Sequence, residues 1–170
     1  METLKLTFEK YKPEDLQDFK TLVSDAELMK YVTGKGLTAL EATTKFNAIL
    51  NTNNKETQLG YFKVFNSKNE CIGDCKLERN QQDHTALEIG YLLKKDYWGM
   101  GIGTAICTKI LEIANTFYPE FDIIGIIDPD NIPSKKLLEK FGFKSYFVGI
   151  EDNLPTEKLL LKSTHTNSSQ

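Results

Sequence analysis

Tyr97-Trp98-Gly99-Met100-Gly101-Ile102-Gly103-Thr104 sets three glycines at alternate positions directly ahead of an amphipathic segment. Ile102, Ile106, Ile110, Ile113 and Phe117 recur there at helical spacing, with Lys109, Glu112 and Asn115 on the other side. The run Ala86 to Leu93 just before it is strand-like. The glycines therefore stand where a strand ends and a helix begins. Backbone N–H groups at such a point have no intrahelical partner, and the positive end of the helix dipole faces outward. Glycine lets a ligand approach that backbone closely. The stretch predicts an anion site, most simply for a phosphate or pyrophosphate.

Upstream, Leu4 to Phe8 alternates and reads as a first strand. Pro13 opens a helix with Leu16, Phe19, Leu22 and Val23 as its apolar stripe. Asp25 to Val32 reads as a short helix or turn carrying Leu28, Met29 and Tyr31, and a further helix spans Thr38 to Leu50. Tyr61 to Phe65 and Cys71 to Leu77 are strands joined by a turn at Asn66-Ser67-Lys68-Asn69. In the strand feeding the glycines, Leu87, Ile89, Tyr91 and Leu93 share one face and Ala86, Glu88, Gly90 and Leu92 the other. Neither face is wholly polar, which predicts a central strand covered on both sides.

Downstream, Phe121 to Ile127 is an almost unbroken apolar run. It predicts a buried strand, parallel to its predecessor because a helix makes the crossover. Asp128-Pro129-Asp130-Asn131-Ile132-Pro133-Ser134 follows, with Pro133 in the first turn of a helix that Gly142 ends. Phe143 to Ile150 and Lys158 to Lys162 read as a closing pair of strands. Residues 1–162 form one domain, and 163–170 a polar tail.

The 170 residues suit one domain with a real core. A net charge of −3 argues against nucleic-acid binding by bulk charge and suits a cationic acceptor. No apolar run approaches membrane-spanning length and the N-terminus has no signal-peptide pattern, so a cytoplasmic protein is expected. Cys71, Cys75 and Cys107 lack metal-ligand spacing, and only His84 and His165 supply imidazoles; free thiols and no metal are expected.

Three glycine-loop types fit differently. A phosphate-binding P-loop needs Lys before Ser or Thr, and Thr104 follows Gly103 without one. A dinucleotide fingerprint counted from Gly99 and Gly101 meets Thr104 at its third glycine position. Gly101-Ile102-Gly103 matches the second half of the acyl-CoA loop of the GNAT acetyltransferases, Gln/Arg-x-x-Gly-x-Gly/Ala. Asn131-x-x-Ser134 followed by Leu138-Glu139-Lys140-Phe141-Gly142-Phe143 is similar to that superfamily's second signature. The order of the motifs, one helix and one strand apart, resembles a GNAT acetyltransferase over nearly the whole chain. Trp98 stands where Gln or Arg is usual. With Glu88-Ile89-Gly90-Tyr91-Leu92 it resembles the ribosomal-protein N-terminal (alanine) acetyltransferase-like branch.

The resemblance implies an α+β fold in three layers: a mixed, mostly antiparallel central sheet, with two splayed parallel strands and flanking helices. It implies acetyl-CoA as cosubstrate in the gap between Ala86–Leu93 and Phe121–Ile127. Main-chain groups of Tyr91, Leu92 and Leu93 would pair with the pantetheine arm. Amides of Trp98, Gly99, Met100, Gly101, Ile102, Gly103 and Thr104 would hold the pyrophosphate, and Asn131 would bond the arm near its sulfur end. A capping role is the plainer alternative for Asn131. Met29 and Tyr31 fall on the acceptor side, or simply in the core. A homodimer is also within the family's habit.

The implied reaction is direct attack of an amine on the thioester. Deprotonating a lysine-like amine at pH 7 costs about 4–5 kcal/mol, against about 1 kcal/mol for an α-amine. A protein N-terminus or a small amine is the expected acceptor, with Glu88 the candidate base through water. A backbone N–H near Leu92 could polarise the carbonyl. Many members protonate the leaving thiolate with a Tyr at the position of Leu138, and leucine cannot donate. Ser134, one turn earlier, is the candidate substitute. A CoA-binding module without turnover, and an unrelated nucleotide binder, are the rival readings.

Overall fold

The computed structural model describes residues 4–164. Its elements are β1 (Thr7–Lys10), α1 (Leu16–Ser24), α2 (Ala26–Met29), α3 (Ala39–Asn53), β2 (Gly60–Phe65), β3 (Cys71–Arg79) and β4 (Ala86–Leu93), then α4 (Ile102–Phe117), β5 (Asp122–Ile127), α5 (Ile132–Lys140), β6 (Lys144–Glu151) and β7 (Leu154–Leu161). Pro13 opens a 3-10 turn that leads into α1. Thr38 and Glu41 cap α3 reciprocally, side chain to backbone, which fixes its start.

The seven strands form one sheet in the order β1-β2-β3-β4-β5-β7-β6. β4 and β5 run parallel, joined through α4, and the other pairs are antiparallel. β4 lies at the centre, and its alternation divides the core. Leu87, Ile89 and Leu93 pack with Ile102, Ile106, Ile110 and Leu138 under α4 and α5. Leu92 turns to the other face, toward the Phe19, Met29, Phe46 and Ile49 cluster of α1, α2 and α3. The expected three layers follow from this two-sided burial.

Three expectations need correction. The closing strand starts at Leu154, not Lys158. Asp152 and Asn153 both take left-handed φ (49° and 62°), a two-residue hairpin turn that needs no longer loop. Pro155, beside that turn, opposes Ile150 in the ladder. A proline is tolerated there because that pair is one of the non-bonded ones. Phe117 ends α4 and is exposed, while Cys107, Leu111 and Ala114 join the buried stripe instead. The third correction concerns Leu92 and follows with the site. Of the 163–170 tail, residues 165–170 lie outside the described residues. Ser163 N donates to Asp122 Oδ1 at 2.8 Å.

Gly73 shows how tightly β3 and β4 pack. A Cβ there would stand 2.0 Å from the Leu92 carbonyl oxygen, which is backbone and has nowhere to go. Gly73→Ala is expected to lower unfolding free energy by about 2–4 kcal/mol in urea titrations. A loss below about 0.5 kcal/mol would contradict the register described here.

Candidate active site

β4 and β5 pair from Ala86↔Asp122 to Ile89↔Gly125 and then part. β5 continues along β7, Ile126 facing Lys158 and Ile127 facing Glu157. β4 continues along β3 to Leu93. Asn80 N donates to Ala86 O at 3.0 Å and Lys94 N to Ile72 O at 2.9 Å. Bonded pairs alternate in an antiparallel ladder, so Glu88, Gly90 and Leu92 spend their main-chain groups on β3. Those of Tyr91 and Leu93 point into the gap. The main-chain groups of Leu92 are thus taken by β3, and the gap-facing N–H next to it is that of Leu93; the Leu92 side chain lines the cleft. Trp98 Nε1 donates to Leu93 O at 2.8 Å. Trp98 thus ties the glycine loop back to the strand.

Gly99 and Gly101 have φ of 72° and 75°, and an added Cβ on either would meet nothing within 4 Å. Backbone conformation, not crowding, demands glycine at both, and the space beside them is open to a ligand. Gly101 caps α4 with no side-chain hydrogen bond to the first-turn amides. Met100 is exposed and Ile102 is buried, which anchors the helix start in the core. Thr104 follows Gly103 in the first turn. Gly103 has a different purpose: a Cβ there would stand 3.0 Å from Tyr91 Oη and 3.1 Å from Leu137 Cδ1. It lets α4, β4 and α5 close together.

Across the gap, Asn131 Oδ1 accepts from Ser134 N at 3.4 Å, so Asn131 caps α5. The Ser134 side chain stands beside the Tyr91 hydroxyl, whose pKa burial pushes up. Leu138 is buried, and its Cδ1 lies 2.7 Å from where a Gly125 Cβ would be. It fills core space and offers no proton.

On the opposite face of β4 lies a cleft of about 470 Å³ that reaches from Met29 and Tyr31 to the β6–β7 hairpin. Its floor is a network of charges. Lys76 Nζ pairs with Glu88 Oε1 and, at 3.0 Å, with Glu78 Oε1. Tyr61 Oη donates to Glu78 Oε1 at 2.9 Å, and Asn80 Nδ2 to Glu88 Oε2 at 3.1 Å. Tyr11 Oη donates to Asp74 Oδ2 at 2.8 Å. Gly90 lets the Lys76 stem cross β4, since a Cβ there would stand 3.2 Å from Lys76 Cε. Burial pulls Lys76 down, but Tyr61, Glu88 and Glu78 outweigh it and hold the ammonium above its usual range. Burial and the Lys76 charge push Lys45 down. Six carboxylates line the cleft (Asp74, Glu78, Glu88, Asp128, Glu151, Asp152) against three ammonium groups, so it favours a cation.

Residues 5–144 match the family model described as Acetyltransferase (GNAT) domain. The chain belongs to the GNAT acetyltransferase family. A curated relative, the uncharacterized N-acetyltransferase p20 of Bacillus licheniformis, is 29% identical over 148 residues, which cover 85% of this chain and 83% of that one. The crystal structure of a GNAT-family acetyltransferase from Bacillus anthracis superposes with TM-score 0.73 at 19% identity, covering 93% and 94% of the two chains. That of the Vibrio cholerae spermidine N-acetyltransferase, in complex with CoA and spermine, gives 0.76 at 16%, covering 94% and 96%. At such identities the two structures speak for the fold alone.

This GNAT chain is therefore an acyltransferase, and its sheet gap and charged cleft meet along β4. The sequence singled out Glu88, Tyr91, Trp98, Asn131 and Ser134, but passed over Asp74, Lys76, Glu78 and Asn80. A signal was there: Asp74, Lys76 and Glu78 alternate along β3 with the buried Cys75 and Leu77. One charged face on a central strand must be answered by other charges.

Burial pushes the Asp74 carboxyl up from 3.8 to about 6, against the pull of Tyr11, Lys45 and Lys76. The folded state thus holds this proton more tightly than the unfolded chain, so ionised Asp74 costs stability as pH rises from about 4 to 6. Asp74→Asn removes that cost. Its unfolding free energy relative to the native protein should rise by on the order of 2 kcal/mol between pH 4 and 7. Urea titrations at the two pH values measure it, and a pH-independent difference would refute the assignment.

Proposed function

We propose that this enzyme transfers acetyl from acetyl-CoA to the primary amine of a cationic acceptor, a protein N-terminus or a small molecule, by direct attack. The observation that carries the proposal is the parting of β4 from β5. It leaves the N–H and C=O of Tyr91 and the N–H of Leu93, whose C=O Trp98 Nε1 already holds, unpaired by any strand, next to a cleft rich in carboxylates. An extended amide-bearing arm supplies what those groups lack, as a peptide does at a sheet edge. The first-turn amides of α4 and the open left-handed glycines suit the diphosphate of the same cosubstrate. The Trp98-Gly99-x-Gly101 loop supports the ribosomal-protein alanine acetyltransferase branch, and the three free cysteines suit a reducing cytoplasm.

Glu88 receives the ammonium of the acceptor and takes its proton through water. Lys76 and Asn80 each occupy one of its oxygens and hold the carboxylate in place, while lone pairs remain for a ligand. Ser134, beside Tyr91, donates a hydrogen bond to the leaving thiolate from the other side of the gap, and the proton taken from the amine neutralises the thiolate through solvent. Asn131 orients the start of α5 and the arm together. Met29 and Tyr31 shape the far wall of the acceptor cleft.

Leu138 favours a second reading, CoA binding without turnover, because the expected donor at its position is replaced by a buried hydrocarbon. Thiol release from acetyl-CoA over a panel of N-terminal peptides and small amines separates the two. Glu88→Gln and Ser134→Ala are each expected to lower kcat about 10- to 100-fold, with acetyl-CoA affinity within about twofold of native. Undiminished turnover in both variants removes these roles, and acetyl-CoA binding without thiol release for any amine of the panel supports the second reading.

A further inference from the structure

Beyond the acceptor cleft a second cavity, of about 450 Å³, opens between the end of α3 and the β3–β4 connection. Glu78 and Gln81 line both, so the two adjoin along the end of β3. Their charge differs. The cleft gathers six carboxylates, whereas the groups left unspent in the second cavity are basic. Arg79 is held there from two sides. Its guanidinium carbon lies 5.8 Å and 5.2 Å from the ring centres of Tyr118 and Phe121. Its Nε and Nη2 both donate to one oxygen, Glu56 Oε1, at 3.2 and 2.8 Å, which leaves its outer N–H donors unspent. Lys55 and His84 line the same cavity, and neither side chain forms a hydrogen bond or ion pair among the described residues. The acids nearby are already answered: Glu56 by Arg79, Glu78 by Lys76 and Tyr61, and Asp83 by Thr85.

We infer that this second cavity is a subsite for an anionic group of the acceptor: an acidic side chain near the start of an extended peptide whose N-terminal amine lies at Glu88. The inference rests on the acetyl-transfer reading of the cleft and names the acceptor that reading leaves open. Register sets the span. Glu78 faces Glu88 directly across the β3–β4 ladder, and neighbouring strands lie about 4.8 Å apart. The second cavity therefore begins about one strand spacing from the carboxylate that receives the amine. An extended chain advances about 3.5 Å per residue, so its second, third or fourth side chain reaches Lys55 and Arg79. Such an acceptor matches the two cavities in charge, with its ammonium among carboxylates and its carboxylate among basic groups. Arg79 keeps its proton at any working pH, and the two rings and Glu56 already fix its plane, so it meets a carboxylate with little left to order. A small amine fills the cleft alone and draws nothing from the second cavity. The pair of cavities thus favours a protein N-terminus over a small molecule.

Pentapeptide amides test the subsite: serine first, alanine elsewhere, and one glutamate or glutamine moved from the second position to the fifth. With acetyl-CoA, the native enzyme should show kcat/KM at least about fivefold higher for glutamate than for glutamine at one of positions two to four, carried by KM. Lys55→Glu should cancel that preference and favour lysine over glutamine at the same position, a reversal that a merely structural role does not produce. Arg79→Gln should cancel it as well, with unchanged circular dichroism; if that variant fails to fold, the Lys55→Glu reversal decides alone. Peptides turned over equally with glutamate and glutamine overturn the inference and leave acetyl transfer standing. So does alanine amide turned over as well as the best pentapeptide. If no peptide or amine is acetylated, the acetyl-transfer reading has failed, and calorimetry of the same peptides on the CoA-loaded protein decides the subsite. Glutamate binding at least about fivefold tighter than glutamine then supports it, and equal or undetectable binding overturns it.

Discussion

The structure depends on a contest for two strands. β4 is drawn along β3 as far as Leu93, and β5 is drawn along β7 as far as Ile127, so the two cannot stay together beyond Ile89 and Gly125. Main-chain groups left unpaired inside a protein are costly, and most folds satisfy nearly all of them. Here the cost is incurred at the centre of the sheet, between the N-termini of α4 and α5. A fold that keeps such a gap is built to have something placed in it. The packing around it is correspondingly tight: Gly103 against Tyr91 and Leu137, Gly125 against Leu138.

The other face of β4 handles charge instead of backbone. Lys76 is partly buried yet stays charged, because Glu78 and Glu88 answer it and Tyr61 and Asn80 complete their hydrogen bonding. Partly satisfied networks of this kind are destabilising, whereas complete ones hold a single geometry. Gly90 belongs to the same device, since a Cβ there would crowd the Lys76 stem that lies across β4. The gap and the charge network are thus two faces of one strand. In the proposed reaction, donor and acceptor meet across this strand near Glu88.

Local pattern announced most of the elements. Helical spacing in Ile102, Ile106 and Ile110, the proline start and glycine end of α5, and alternation in β4 each carry their meaning within a few residues. The hairpin at Asp152-Asn153 is written just as locally, in two residues that tolerate left-handed φ, and it sets the start of the second strand at Leu154. The charged face of β3 was visible as alternation too. Its importance was not, because the partners of Asp74, Lys76 and Glu78 come from Tyr11 after β1 and from α3, β2 and β4.

The sequence by itself determined the glycine-bounded helix start, the order of strands and helices, and the two faces of β4, since these rest on periods of two and 3.6 and on the special backbone freedom of glycine. Only the tertiary structure decided that Tyr91 and Leu93, not Leu92, turn their main chain to the gap, that Trp98 is bound to Leu93, and that Glu88 is held by Lys76 and Asn80. The physical reason is register. Which hydrogen-bonding groups a strand has to spare depends on the neighbours it pairs with and where those neighbours stop, and no stretch of chain contains that information about another.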